Sequence, residues 1–74
     1  MTTPNDIKTW IESGMPGADA QVTGDGHHFE ATVVYSGFAG KNILEQHRMV
    51  YDALGDKMHR QIHALALRTR ASEN

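Results

Sequence analysis

Cysteine is absent from the 74 residues of this chain. This absence excludes disulfide bonds, thiolate nucleophiles and zinc sites built on cysteine. A metal centre would therefore have to use histidine or carboxylate ligands, or sulfur ligands supplied by another molecule. The chain contains five histidines, which makes histidine the ligand type to examine first.

The chain also lacks a long hydrophobic run and a recognisable leader. Hydrophobic residues make up 39% of the chain and charged residues 22%, which is typical of a soluble globular protein and not of a disordered or membrane-spanning one. The segment from Met1 to Asp6 shows no basic stretch followed by an apolar one, so it does not resemble a secretory signal. We therefore predict a cytoplasmic protein that does not associate with membranes.

A strong excess of positive charge is missing as well. The net charge is −2, with one lysine and five acidic residues in residues 1–36 but six basic and four acidic residues in residues 37–74. This mild basic bias is far from the basic stripe expected of a protein whose main partner is a phosphate backbone. The candidate surface for an acidic protein partner or nucleic acid comprises Lys41, Arg48, Lys57, Arg60 and Arg68, although such a set also suits an ordinary solvated surface.

A chain of this length forms one domain, because only about 60% of its unfolded surface can be buried in a single core. Thr3, Pro4 and Asp6 are typical of a helix start, and Ser13-Gly14 of its end. The predicted buried side of this helix comprises Ile7, Trp10, Ile11 and Met15. Alternation over residues 18–23 and 28–35 predicts two strands, and the Asp-Gly turn between them predicts an antiparallel hairpin.

A second, longer helix is predicted after the capping residue Asn42. Seven side chains fall within one arc of about 120° on its helical wheel: Ile43, Leu44, His47, Val50, Tyr51, Leu54 and Met58. His47 lies at the centre of this arc, so we predict that it is a buried, hydrogen-bonded structural residue. Phe38, in the turn before the helix, is predicted to fill the core.

Residues 62–69 alternate in a way that favours a terminal strand, with His63 near its start. The predicted order is helix, strand, strand, helix, strand. We therefore expect an α+β sandwich in which helices cover one face of a three-stranded sheet, with the last strand paired to a hairpin strand. The predicted single domain spans residues 1–74, with its core at about 4–69.

Four stretches, read in order, resemble the BolA family. They are Gly24-Asp25-Gly26-His27-His28-Phe29, Phe38-Ala39-Gly40-Lys41, His47-Arg48-Met49-Val50-Tyr51, and Ile62-His63-Ala64-Leu65-Ala66-Leu67. The loop between the first two strands is similar to that of the bacterial IbaG/YrbA branch. The resemblance covers roughly residues 5–69 and implies an αββαβ fold related to the class II KH domain.

The resemblance also implies a function. BolA-like proteins associate with monothiol glutaredoxins of the Cys-Gly-Phe-Ser type and share a [2Fe-2S] cluster with them, in cluster delivery or in sensing. The family's recurrent histidine ligand matches His63, and a second ligand comes from the loop between the first two strands. This chain has neither the loop cysteine nor the longer loop insertion of other branches, which leaves its loop ligand open. The candidates are His28, which matches the family's His-Phe pair and is favoured for that reason, and His27.

Other interpretations of these residues stay open at this point. His63 also suits a strand-edge histidine bonded to backbone, and His27 and His28 suit a solvated turn, where alternation predicts that at most one faces His63. Gly37-Phe38-Ala39-Gly40 formally matches the GxxG of KH domains, although one such match is close to chance in a chain with seven glycines. The resemblance leaves a KH-like nucleic-acid-binding transcriptional regulator of stress response as the alternative function. No pattern for an independent active site is present, and we predict a non-enzymatic protein whose free form could be a homodimer.

Overall fold

A computed structural model describes residues 1–72 of the chain. The helices are α1 (Pro4–Gly14), α2 (Ile43–Leu54) and the short α3 (Lys57–Arg60), and the strands are β1 (Asp19–Gly24), β2 (His28–Val34) and β3 (Ala64–Arg70). This arrangement confirms the predicted order, with α3 and a single 3-10 turn at Ser36–Phe38 as additions. None of the described helices is long and apolar enough to cross a membrane.

Both long helices begin where the sequence predicts, because each has a reciprocal capping box. The Thr3 hydroxyl accepts a hydrogen bond from the backbone N–H of Asp6, and the Asp6 carboxylate accepts one from the backbone N–H of Thr3. Asn42 and Glu45 make the same exchange at the start of α2. Each box satisfies two N–H groups that the helix itself leaves without partners.

The three strands form a mixed sheet in the order β1-β2-β3. The hairpin strands β1 and β2 are antiparallel, and β3 runs parallel to β2 on its other side. A parallel neighbour needs a crossover connection, which here includes α2. Helices α1 and α2 cover one face of the sheet, and the opposite face, which we call the open face, carries Glu30 and Thr32 of β2 and Ala66 and Arg68 of β3.

One apolar core lies between the helices and the sheet. Phe38 is fully buried there, as predicted, and packs edge-on against Tyr35 with ring centroids 5.4 Å apart. Trp10 is only partly buried, and the ammonium group of Lys57 lies 5.2 Å from its ring centroid. The fully or almost fully buried apolar residues are Ile7, Ile11, Met15, Ala20, Phe29, Ala31, Val33, Phe38, Val50, Leu54 and Ile62.

The predicted buried face of α2 is confirmed at Val50 and Leu54 but is wrong at His47 and at the exposed residues Ile43, Leu44 and Tyr51. The residues that α2 buries are Gln46, Val50 and Leu54, whereas His47 is only half-buried and Leu44 is 60% exposed. The helix turns towards α1, where Ala53 packs so closely on Gly14 that a side chain at position 14 would collide with it. His47 is therefore not the buried core residue that the sequence predicts.

Gln46 has the buried, hydrogen-bonded structural role that the sequence predicts for its neighbour His47. Its amide nitrogen donates a hydrogen bond to the carbonyl oxygen of Lys41 at 2.8 Å, and its side-chain oxygen accepts one from the Thr69 hydroxyl at 2.7 Å. A buried amide requires such partners. These two bonds attach α2 to the preceding loop and to β3, which explains why a polar residue occupies a buried helix position.

Candidate metal centre

Three histidines converge at one end of the sheet. His27 and His28 lie at the junction of the hairpin loop and β2, and His63 immediately precedes β3. Parallel strands start at the same edge of a sheet, so the pairing of β2 with β3 brings the two segments together. The ring centroid of His63 lies 6.2 Å from that of His27 and 5.9 Å from that of His28, with the rings edge-on.

The hairpin loop that carries His27 and His28 is held by Asp25. The Asp25 carboxylate accepts hydrogen bonds from the backbone N–H groups of His28 and His27, both at 2.9 Å, and its own N–H donates to the carbonyl oxygen of His28 at 3.2 Å. These backbone hydrogen bonds lower the pKa of the Asp25 carboxyl group below its ordinary value. Gly26 adopts a φ of 101°, a conformation that glycine reaches without the strain of a side chain.

Buried and hydrogen-bonded neighbours hold His63 in place. The preceding residue, Ile62, is 5% exposed and anchors the connection from α3 in the core. The following residue, Ala64, donates its backbone N–H to the carbonyl oxygen of His27 at 3.2 Å. The two histidine-bearing segments are thus bonded directly to each other through the backbone.

The histidine side chains are accessible. His27, His28 and His63 are all exposed, and an open groove of about 430 Å³ lies beside them, lined by Gly26 and residues 58–63. Neutral imidazole nitrogens are good ligands for iron, zinc and copper. Within residues 1–72, no group of three or more histidine, cysteine or acidic residues has the arrangement needed to hold a metal ion.

The structure differs from the sequence prediction in how the two loop histidines are placed. Strand alternation would point consecutive side chains to opposite faces, so that at most one would face His63. However, His27 lies in the turn before β2 begins, and alternation does not govern its side chain. Both rings lie at nearly the same distance from His63, so the geometry does not decide between His28 and His27.

Sequence reasoning missed Asp25 and Ile62 as residues that position the histidines. An aspartate followed by glycine in a turn is a known signal for side-chain bonding to nearby backbone N–H groups, and it could have identified Asp25. Nothing in the local pattern separates Ile62 from the strand that follows. Its anchoring role depends on the core that it enters.

The five predicted surface cations do not form one patch. Arg68 lies on the open face of the sheet, and Arg48 lies on α2, on the other side of the molecule. Lys57 is half-buried over Trp10. Lys41 is exposed just before the start of α2, and Arg60 is exposed at the end of α3. A single flat partner cannot contact Arg48 and Arg68 at once.

The Gly37-Phe38-Ala39-Gly40 segment does not have the form of a loop that grips a nucleic-acid backbone. Phe38, its second residue, is fully buried, and a side chain at Gly37 would collide with the Tyr35 ring. A gripping GxxG loop must present its backbone to the nucleic acid. In this chain the segment is anchored inward by Phe38 and leads into the Asn42 cap of α2.

The hydrogen bonds of Asp25 lead to a testable prediction. Asp25→Ala should increase hydrogen exchange at the His27 and His28 amides by about fivefold, since both lose their acceptor. Asp25→Asn is the matched control, because its side-chain oxygen can accept both bonds. Amide exchange followed by NMR makes the comparison, and unchanged exchange in the alanine variant would contradict the positioning role.

The lowered pKa of Asp25 also sets a pH dependence for this loop. The folded-state pKa lies below the ordinary value of 3.8, so the carboxylate stabilises the loop fully above that value and progressively less as the pH falls through the folded-state pKa. The His27 and His28 amide shifts should follow this titration, and Asp25→Asn should remove it. A midpoint at or above 3.8 would contradict the assignment.

Known proteins share this fold. A sequence model of the family described as BolA-like protein matches residues 3–74. The structure of a bolA protein homologue from Coxiella burnetii superimposes with a TM-score of 0.90 at 47% identity, covering 99% of this chain and 94% of that chain. The solution structure of mouse BolA1 gives a TM-score of 0.75 at 26% identity, covering 92% of this chain and 63% of that one.

Two curated relatives match a shorter segment. The protein named BOLA2 from Arabidopsis thaliana is 49% identical over 45 residues, which cover 61% of this chain and 47% of that protein. The protein named DNA-binding transcriptional regulator BolA from Escherichia coli is 39% identical over 46 residues, which cover 62% of this chain and 44% of that protein. The chain thus matches less than half the length of each of these relatives. Because the family model matches almost the whole chain and the mixed-sheet, class II KH-like architecture agrees with the solved structures, the chain belongs to the family of BolA-like proteins.

Proposed function

We propose that this protein is a non-enzymatic adaptor that binds a monothiol glutaredoxin and provides histidine ligands to a [2Fe-2S] cluster shared between the two proteins. The observation that carries the proposal is the exposed pairing of His63 with the loop histidines, at ring-centroid distances of 5.9 and 6.2 Å. The role is cluster delivery or the sensing of iron and redox state.

The donor set of this chain fits part of such a cluster. A [2Fe-2S] cluster needs four protein or small-molecule ligands, and two histidines on one iron are a known arrangement that raises the reduction potential. His63 and either His28 or His27 supply up to two nitrogens. The chain has no cysteine, so the sulfur ligands come from the glutaredoxin cysteine and from glutathione.

The residues around the histidines support this role by fixing their backbone. Asp25 orders the loop that carries His27 and His28, and Ala64 bonds that loop to the start of β3. A ligand pair held on bonded strand ends keeps its geometry before the partner arrives. All three imidazole rings are exposed, and the open groove lined by His63 leaves room for a partner that brings the rest of the cluster.

Reconstitution tests the proposal. The purified protein is supplied with iron and sulfide, with and without a monothiol glutaredoxin and glutathione, and the products are followed by size-exclusion chromatography and visible circular dichroism. We expect a coloured heterodimer whose spectrum differs from that of the glutaredoxin alone. A stable cluster on the isolated protein, or a mixture with only the glutaredoxin's own spectrum, would contradict the proposal.

A nucleic-acid-binding regulator is the second candidate, and the observation that favours it is the name of the E. coli relative. Arg68 and Arg70 on the open face would be the first contacts to examine. Along the three strands, the open face carries no phenylalanine, tyrosine or tryptophan, and His28 at the start of β2 is the one aromatic side chain there on which a base could stack. A mobility shift at several salt concentrations tests this function, because phosphate contacts predict affinity that falls steeply with salt.

A further inference from the structure

Strand β3 is an edge of the sheet, and among residues 1–72 only β2 pairs with its backbone. Ala64 donates its N–H to His27, and the Arg70 carbonyl accepts from the N–H of Tyr35. In a parallel ladder, every second residue of a strand directs both its N–H and its C=O group towards the same neighbouring strand. Since Ala64 and Arg70 bond to the β2 side, the even-numbered residues of β3 are the ones that bond to β2. The N–H and C=O groups of Leu65, Leu67 and Thr69 therefore point away from the sheet.

An unpaired strand edge is a template for another strand. Along Ala64–Arg70 there is no proline to interrupt such pairing. The neighbouring strand β2 pairs with β3 over all seven residues in continuous register, so β3 contains no bulge that would twist the edge away. The edge is therefore long and regular enough to accept an added strand.

The sequence of β3 is complementary to itself in the antiparallel direction. When two copies pair about a two-fold axis at Leu67, Leu65 of each copy lies opposite Thr69 of the other, and these are the residues with free backbone groups. On the open face, the same register places Arg68 opposite Ala66 and Arg70 opposite Ala64. No pair of like charges lies directly opposite, which would have destabilised the pairing.

The side of α2 above this edge is also uncovered. Helix α1 contacts α2 at Ala53, and helical geometry places Leu44 and Tyr51 on the opposite side of α2. Because α1 packs on β1 and α2 packs on β3, the side of α2 away from α1 is the side nearer the β3 edge. Leu44 is 60% exposed and Tyr51 is 38% exposed. A two-fold axis perpendicular to the sheet puts both α2 helices on the same face of a joined sheet, with these apolar sides towards each other.

We propose that two copies of this protein associate through antiparallel pairing of their β3 strands, forming one six-stranded sheet with Leu44 and Tyr51 of both copies beside the junction. The free edge, the self-complementary register and the uncovered apolar side of α2 all indicate that a second copy of this protein pairs with β3. This inference concerns the protein alone and does not depend on iron or on glutaredoxin.

Sedimentation combined with amide hydrogen exchange tests the proposed dimer. As the protein concentration rises, the protein should shift from monomer to dimer, and the amides of Leu65, Leu67 and Thr69 should gain protection in parallel. The amides of Ala66 and Arg68 should be protected at every concentration, since they bond to β2. A protein that stays monomeric, or a dimer in which the three free amides stay unprotected, would overturn the proposal.

Two substitutions at Ala66 should change the dimer dissociation constant in opposite directions. Ala66 is exposed on the open face, so changes there should leave the fold intact. Ala66→Arg places two arginines directly opposite and should raise the dimer dissociation constant by about fivefold, whereas Ala66→Glu should lower it by a similar factor. Gln21→Arg, on the exposed side of β1 at the other edge, is the matched control and should leave the constant unchanged. Equal effects of both Ala66 variants would overturn the register.

Discussion

His63→Ala should abolish the shared cluster or change its spectrum while leaving the fold and glutaredoxin binding intact. His63 is the histidine that lies next to both loop histidines, so its removal breaks every candidate ligand pair in this chain. Its side chain is exposed and contributes little to the core, which predicts an unchanged melting temperature. The effect should therefore appear in the cluster and not in the protein's stability.

The surroundings of His63 offer a matched control for this experiment. His59 is also exposed and lines the same groove, but it makes no ring contact with the other histidines. His59→Ala should therefore reconstitute a heterodimer with the wild-type visible circular dichroism. A His63→Ala heterodimer with an unchanged spectrum would contradict the assignment of His63 as a ligand. A changed spectrum in both variants would mean that the shape of the groove, and not the loss of one ligand, alters the cluster.

The same spectrum decides between the two loop histidines. The match to the family's His-Phe pair favours His28, and the structure places His27 nearly as close to His63. If His28 is the second ligand, His28→Ala changes the spectrum and His27→Ala does not. The reverse result would assign the ligand to His27.

Phe38→Ala should destabilise the protein by about 3–5 kcal/mol, since it removes a fully buried aromatic side chain and leaves a cavity. Native domains are stable by only about 5–15 kcal/mol, and in a domain of this size each kcal/mol corresponds to roughly 4–8 °C in melting temperature. The variant should therefore melt at least about 12 °C below the wild type or fail to fold. Urea unfolding followed by circular dichroism measures the loss.

Two controls separate packing from simple loss of apolar surface. Phe38→Leu retains most of the volume and should cost much less than the alanine variant. Ile43→Ala removes an apolar side chain that is 60% exposed, and its effect should stay within about 0.5 kcal/mol. A Phe38→Ala variant with near wild-type stability would mean that the segment from Gly37 to Gly40 is not anchored in the core. Such a result would reopen the possibility that this segment contacts nucleic acid.

Local sequence determined the elements of this fold. Thr3 with Asp6, and Asn42 with Glu45, specify their helix starts through bonds between residues three apart, which need no other part of the chain. Alternation specified the two hairpin strands and their inward-facing residues, because successive side chains of a strand point to opposite faces. The motifs that resemble the BolA family were likewise visible in the sequence.

Only the tertiary structure determined which side of α2 is buried. The helical wheel gives the relative angles of Gln46 and His47 but not the direction of the core, which depends on where α1 packs. The position of the histidines was decided in the same way, because His63 lies more than thirty residues from the hairpin loop and meets it only through the parallel pairing of β2 with β3. The positioning role of Asp25 could be predicted from the turn in which it lies, because its bonds are to residues two and three positions away. The anchoring role of Ile62 could not, because its burial depends on how the whole chain packs.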